Sequence, residues 1–508
     1  MSNCIRTAST LQSDSCTTRL RRRWNGRATL LGSSLLCACA LFAPTGTGPS
    51  PWPVATASTT SASLTDENKQ FSALVDGFLS ELGLHYPSET TELGLHSHDQ
   101  DLEDLTPSGV AKTLAWLADW DRRMASIDAT KLGEPERFDL TLLRHSLRSR
   151  RFVLTDLPEY RRRPIVYSGL ASRSVNAILK RNYAPLDVRL KAVVARLRKA
   201  SAIIRQAPQN LDQLSVASVD VTLRTLPATV DFFRVDVIKA FAEVKDPELQ
   251  KQLRQACEET ASALTAFGEF LKKDGRARAN PSFALGEDLF RRALFSEEMI
   301  DTPIPTLLKQ AEAELSRLRA EFQKTANLID SKRSAQDTQT VVSQDHPKPA
   351  ELIDFTASRL AQQRKFLIDH SIITVPSEVL PLVRETPPFM RATTLASMDT
   401  PGPYEKASEA YYYITLPEPT WKPSEIEDFL RGAHNRPLID VVAIHEAFPG
   451  HYVQYLWLGR LSKVKQLAQV MSNAEGWAHY TEQMMMEEGY SGGDPKVRLM
   501  QLQDELLR

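Results

Sequence analysis

Cysteine is scarce in this 508-residue chain: there are five, and four of them (Cys4, Cys16, Cys37 and Cys39) precede residue 40. Beyond them only Cys257 remains, which excludes an internal disulfide framework. Cys257 shares a helical apolar face with Leu253 and Leu264, so its assignment is to packing and not to nucleophilic chemistry. Strand signals are few and short; residues 341–342, 372–375 and 411–416 are the best of them. No repeat with a period of about 20–50 residues is present, which disfavours a solenoid. Walker loops, dinucleotide fingerprints and nucleophile elbows are absent as well. Past residue 57 there is no long basic run, and 56 basic residues face 62 acidic ones. Nucleic acid is therefore excluded as a partner, because phosphate binding needs clustered Lys and Arg.

The first segment differs from the rest. Arg19, Arg21, Arg22, Arg23 and Arg27 precede an uncharged, Leu/Ala/Cys-rich run over residues 28–43, followed by Pro, Gly, Ser and Thr. A basic region, an apolar region and a small-residue tail are the parts of a secretory signal. At 16 residues the apolar run is short for a membrane span. The expectation is a leader over residues 1–57 and an exported mature chain, periplasmic or secreted, with no transmembrane domain. Residues 36–39 faintly resemble a lipoprotein processing site, with Cys39 as the acylated position and a membrane-anchored lipoprotein as the alternative.

Helical periodicity begins directly after the leader. Phe71, Leu74, Val75, Phe78, Leu79 and Leu82 lie on one helix face. Leu190, Val193, Val194, Leu197 and Ile204 form a second such stripe, Leu249 to Leu271 a third, and Leu307, Leu308, Ala311, Leu315, Leu318 and Phe322 a fourth. Residues 331–349 are polar and read as a surface loop. The reading is all-α: one large helical domain over residues 58–508, with at most a small β-ribbon. Residues 497–508 are amphipathic and end without a C-cap glycine or a proline, the pattern of a truncated chain.

The chemistry concentrates at His445-Glu446-Ala447-Phe448-Pro449-Gly450-His451. Neutral imidazoles bind zinc well, and a carboxylate beside the first ligand can act as general base on a water. Two histidines six apart on a regular helix would point about 120° apart and stand about 9 Å apart along the axis, too far for one metal ion. Proline removes an N–H and glycine permits unusual backbone angles. The spacing therefore predicts a broken turn that returns His451 towards His445. Zinc needs a third ligand and an open position. Glu475, 24 residues after His451, supplies it, with His479 as the alternative; His479 and Glu482 share a face with Glu475. Tyr412 and Tyr413, with His479, are candidates for a substrate cleft, although aromatic runs more often pack. His96 and His98 lie in a polar stretch and read as solvated.

These residues carry a resemblance. His445 to His451 and the Glu-Gly-Trp-Ala-His-Tyr segment at residues 475–480 resemble the hallmarks of bacterial domain-of-unknown-function family 885. Residues 91–99, 286–294, 387–389, 401–403 and 411–416 are similar too. The resemblance implies a large helical zincin-like fold with peptidase-like activity, metal ligands His445, His451 and Glu475, and Glu446 as the base. Tyr452 departs from it, since the family commonly has histidine there. The expected function is zinc-dependent hydrolysis of short peptides. A zinc amidohydrolase or esterase acting on a small non-peptide substrate, or a catalytically silent binding protein, are the alternatives.

Overall fold

A computed structural model describes residues 66–405, 409–468 and 470–507, all within one unit. The leader over residues 1–57, with its cleavage points and Cys39, lies outside the described residues.

The periodic stripes become helices. Helix α1 (Asp66–His85) buries Phe71, Val75, Phe78 and Leu82. Helix α2 (Leu186–Asn210) packs along α3 (Pro247–Phe270) through Leu190, Val193, Leu197 and Ile204 on one side and Leu253, Cys257 and Leu264 on the other. The Asp246 carboxylate caps α3, accepting the N–H groups of Glu248 and Leu249 at 2.9 and 3.1 Å. Burial pushes the Cys257 thiol up to about 12, which leaves it as an inert packing group.

Helix α4 (Ile304–Ile329) buries its stripe only in its second half, through Leu318, Phe322 and Ala326; Leu308 is 57% exposed. The supposed loop at residues 331–349 contains a helix instead, α5 (Ala335–Val342). The Ser334 hydroxyl caps it by accepting the Asp337 N–H at 3.1 Å, and Ala335, Thr338 and Val342 turn one face inward. The cap and this short apolar stripe outweigh the surrounding charge, and residues 341–342 are helical rather than extended. Residues 372–375 form no strand either.

Helix α6 (Leu352–Asp369) precedes a three-stranded sheet. Strand β1 (Leu382–Glu385) pairs in parallel with β3 (Tyr411–Ile414), and β2 (Ala396–Asp399) pairs antiparallel on the other side of β3. Tyr412 stands between Val383 and Met398 in this register. Period-two alternation turns Tyr412 and Ile414 into the core and leaves Tyr411 and Tyr413 on the opposite face.

Helix α7 (Arg436–Glu446) runs through the middle of this half, against α6 and two later helices, α9 (Met471–Glu487) and α10 (Pro495–Leu507). Between them lies the short α8 (His451–Leu458). An internal ion pair holds α7 in place. Arg359 of α6 donates to both Asp440 oxygens, at 2.5 and 2.7 Å, and the Tyr490 hydroxyl donates to Asp440 at 3.0 Å. A buried carboxylate supplied with this many donors fixes position more than it adds stability.

His96 is not a solvated loop residue. Its Nδ1 lies 3.1 Å from Asp99 and its Nε2 3.1 Å from Glu405, which ties the 91–99 segment to the loop before β3. Among the described residues no helix is long and apolar enough to cross a membrane. The architecture is mainly helical, with one small sheet beside α7.

Candidate metal centre

The site begins with the end of α7. The Asn435 side chain caps the helix by accepting the Leu438 N–H at 3.0 Å, and the helix stops at Glu446. Pro449 cannot donate to the ladder, and Ala447 leaves helical geometry at φ −124°, ψ −71°. The Gly450 N–H reaches back to the Ile444 carbonyl at 3.0 Å. A Cβ at Gly450 would lie 1.7 Å from the His445 carbonyl oxygen, so only glycine lets the chain pass this close. The Trp477 indole of α9 donates to the Pro449 carbonyl at 3.0 Å and holds the turn from outside. Helix α8 then starts at His451.

This break cancels the separation that a continuous helix would impose. The rings of His445 and His451 lie 4.8 Å apart, at 86° to one another. Glu475, in the second turn of α9, reaches both: its Oε2 is 3.4 Å from His445 Nε2 and its Oε1 is 3.7 Å from His451 Nε2. Four-coordinate zinc with bonds of about 2.1 Å separates neighbouring ligand atoms by about 3.4 Å. One donor atom from each of His445, His451 and Glu475 lies within 4.8 Å of the other two. The set fits a small cation in size and in chemistry, two imidazoles and one carboxylate.

The surroundings prepare these donors. His445 and His451 are buried, at 5% and 8% exposure, and Glu475 is partly open. Burial, reinforced by the neighbouring His445, pushes His451 down to about 4, so its imidazole is neutral at neutral pH. Hydrogen bonding from His445, with the other imidazoles nearby, holds the Glu475 carboxyl well below the usual carboxylate range. Behind His445 stands Glu482, 1% exposed, with Oε1 2.8 Å from His445 Nδ1. That contact turns Nε2 towards Glu475. Without a cation, His445 satisfies both carboxylates only by carrying both of its protons; a metal ion would take the place of the proton on Nε2.

The other site residues fall into place around this centre. Glu446 is half-buried; burial, with the Glu446 charge, raises the phenol of Tyr412, and burial, with the charges of Glu475 and Glu446, raises that of Tyr455. Tyr412 is 1% exposed and packs among Ile444, Ala447 and Phe448, so it belongs to the core rather than to an open cleft wall. Tyr413 is half-buried beside Tyr411, with ring centroids 5.9 Å apart. His479 is grouped with His445 and Glu482 and not with His451; its Nδ1 lies 3.2 Å from Glu482 Oε1. Tyr452 points away and donates to the Val379 carbonyl at 2.9 Å.

Two roles are not assigned by the sequence: that of Glu482 behind His445, and that of Glu298. Glu482 shares the face of Glu475 on α9, and that periodicity was the available signal for its role. Glu298 had none: its carboxylate accepts the Ser472 N–H at 2.9 Å and caps the first turn of α9 from 174 residues away.

The model of a family described as bacterial protein of unknown function (DUF885) matches residues 87–508. The chain belongs to this family. Among solved structures it is similar to a protein from Shewanella oneidensis described as a lipoprotein of unknown function. The two are 25% identical and superpose with a TM-score of 0.67 over 86% of this chain and 81% of that one. No curated protein matches.

Proposed function

We propose that the chain is a zinc-dependent hydrolase that cleaves amide bonds in short peptides. One observation carries the reading: His445, His451 and Glu475 converge within 4.8 Å, with Glu446 adjacent to the first ligand. His445 and His451 would hold the ion through Nε2 and Glu475 through its carboxylate. Zinc, when bound, supplies Lewis-acid polarisation and lowers the pKa of a water in its open position. Glu446 takes the proton of the attacking water and passes it to the departing amine nitrogen. Glu482 keeps His445 in the tautomer that offers Nε2. Zinc is preferred on ligand type, and manganese or cobalt would fit the same donors. The peptide substrate rests on analogy with helical metallopeptidases, and a non-peptide amide would use the same groups.

The leader supports export, to the periplasm or beyond, and the lipoprotein description of the similar Shewanella protein is compatible with an anchor at Cys39. The test is metal content by elemental analysis, on the chain and on His451→Ala, followed by cleavage of a peptide library. About one zinc per chain, lost in the variant, is expected. No metal in either protein after zinc addition sinks the reading.

A further inference from the structure

Hydrolysis of an amide places negative charge on the former carbonyl oxygen, and a preorganised donor aimed at it is worth much of the barrier. The residues named so far include a base and three ligands but no such donor. We propose that the hydroxyl of Tyr455 is that donor; the assignment rests on the hydrolase reading above.

Tyr455 follows His451 by one turn of α8, so both side chains leave the helix on the same face. Its ring lies 5.9 Å from the His451 imidazole, with only 18° between the planes. The two rings therefore lie nearly parallel, side by side on the face of α8 from which His451 meets Glu475. The charges of both Glu475 and Glu446 act on the Tyr455 hydroxyl, so the phenol stands near the two carboxylates. Tyr455 is half-buried, and its hydroxyl makes no hydrogen bond with any described residue. The O–H is thus held by its ring and still has its donor capacity to offer.

Tyr412 is the other phenol affected by Glu446, but it is enclosed in the core, where a substrate carbonyl cannot reach it. Tyr452 spends its hydroxyl on Val379, and Tyr480 is exposed. Tyr455 is the phenol that combines rigidity, partial exposure and nearness to both carboxylates. In the reaction it donates a hydrogen bond to the carbonyl oxygen as charge develops there, and it keeps its proton throughout. A residue in this role touches the reacting atoms, and its loss lowers turnover more than substrate binding.

The experiment compares the full chain with Tyr455→Phe after zinc loading, with three readouts. These are zinc content, affinity for methylphosphonate (a tetrahedral oxyanion) by calorimetry, and kcat and KM for a peptide that the wild type cleaves. Expected are equal zinc content, phosphonate affinity about tenfold weaker, and kcat lower by on the order of 10²-fold with KM little changed. Wild-type phosphonate affinity and kcat in Tyr455→Phe overturn the assignment, as does a fall in zinc content parallel to the loss of activity, which indicates a packing role. If the wild type cleaves no peptide, the peptidase reading fails by itself, and the phosphonate arm still decides the donor. A wild type that binds neither zinc nor phosphonate overturns both.

Discussion

Glu482 Oε1 stands 2.8 Å from His445 Nδ1, in a site so enclosed that the carboxylate is 1% exposed. A carboxylate at that depth is costly unless its donors are fixed. Here the donors are imidazole N–H groups, and fixing them also fixes where His445 Nε2 points. Replacement by Gln keeps the volume and removes the charge. Glu482→Gln is expected to weaken zinc binding by about 10- to 100-fold with the fold intact. Chelator competition measures it, and an unchanged affinity would mean that His445 is oriented by packing alone.

Gly450→Ala tests the turn. The added Cβ would meet the His445 carbonyl at 1.7 Å, so the backbone of His445 has to move. Loss of zinc binding is expected, with a destabilisation of roughly 2 kcal/mol or more. A variant with wild-type Tm and zinc content would show that the turn has room that the geometry denies.

Glu446→Gln separates a hydrolase from a silent binder. It preserves shape and leaves the three proposed ligands untouched. Turnover is expected to fall by about 10²-fold or more while zinc content stays the same. Ligand binding without any hydrolysis in either protein would favour a binding function.

Glu298 reaches α9 from a distant part of the chain and accepts the Ser472 N–H at 2.9 Å. Glu298→Ala removes that cap and is expected to cost about 1 kcal/mol of stability. Because Glu475 lies just beyond in the same helix, zinc affinity should fall with it. Denaturation with and without zinc checks both effects, and equal stability in the variant would dismiss the cap.

His434 links stability to pH away from the proposed metal ligands. It is buried, its Nε2 donates to the Thr415 carbonyl at 2.8 Å, and burial pushes its pKa down to about 4. The folded state therefore favours neutral imidazole, while the unfolded chain takes up a proton near its ordinary value of about 6.5. Stability from this group is complete above about pH 6.5 and declines as pH falls towards about 4, below which the loss is constant. The loss is on the order of 3 kcal/mol. His434→Gln should flatten the stability profile in this window, and an unchanged slope would assign the pH dependence elsewhere.

The helical class was legible because it rests on periodicity. Phe71 to Leu82 and Leu253 to Leu264 repeat at the helical period and bury the faces that the pattern marks. Ser334 to Val342 were obscured because charged neighbours hid a short stripe and its cap. Leu308 and Ala311, exposed in the first half of α4, show the same limit from the other side: a stripe marks a face, but packing decides how much of it is covered.

For the site, residue types and spacing were enough to name His445, Glu446, His451 and Glu475 and to require a break at Pro449 and Gly450. Chain chemistry alone dictates that break, since a proline without an N–H and a glycine without a Cβ act locally. Which nitrogen of His445 faces Glu475, how Glu298 caps α9, and why Tyr412 is enclosed while Tyr455 is partly open were decided only by tertiary structure. Each depends on a partner far away in sequence, and hydrogen-bond direction and burial are set only once those partners meet.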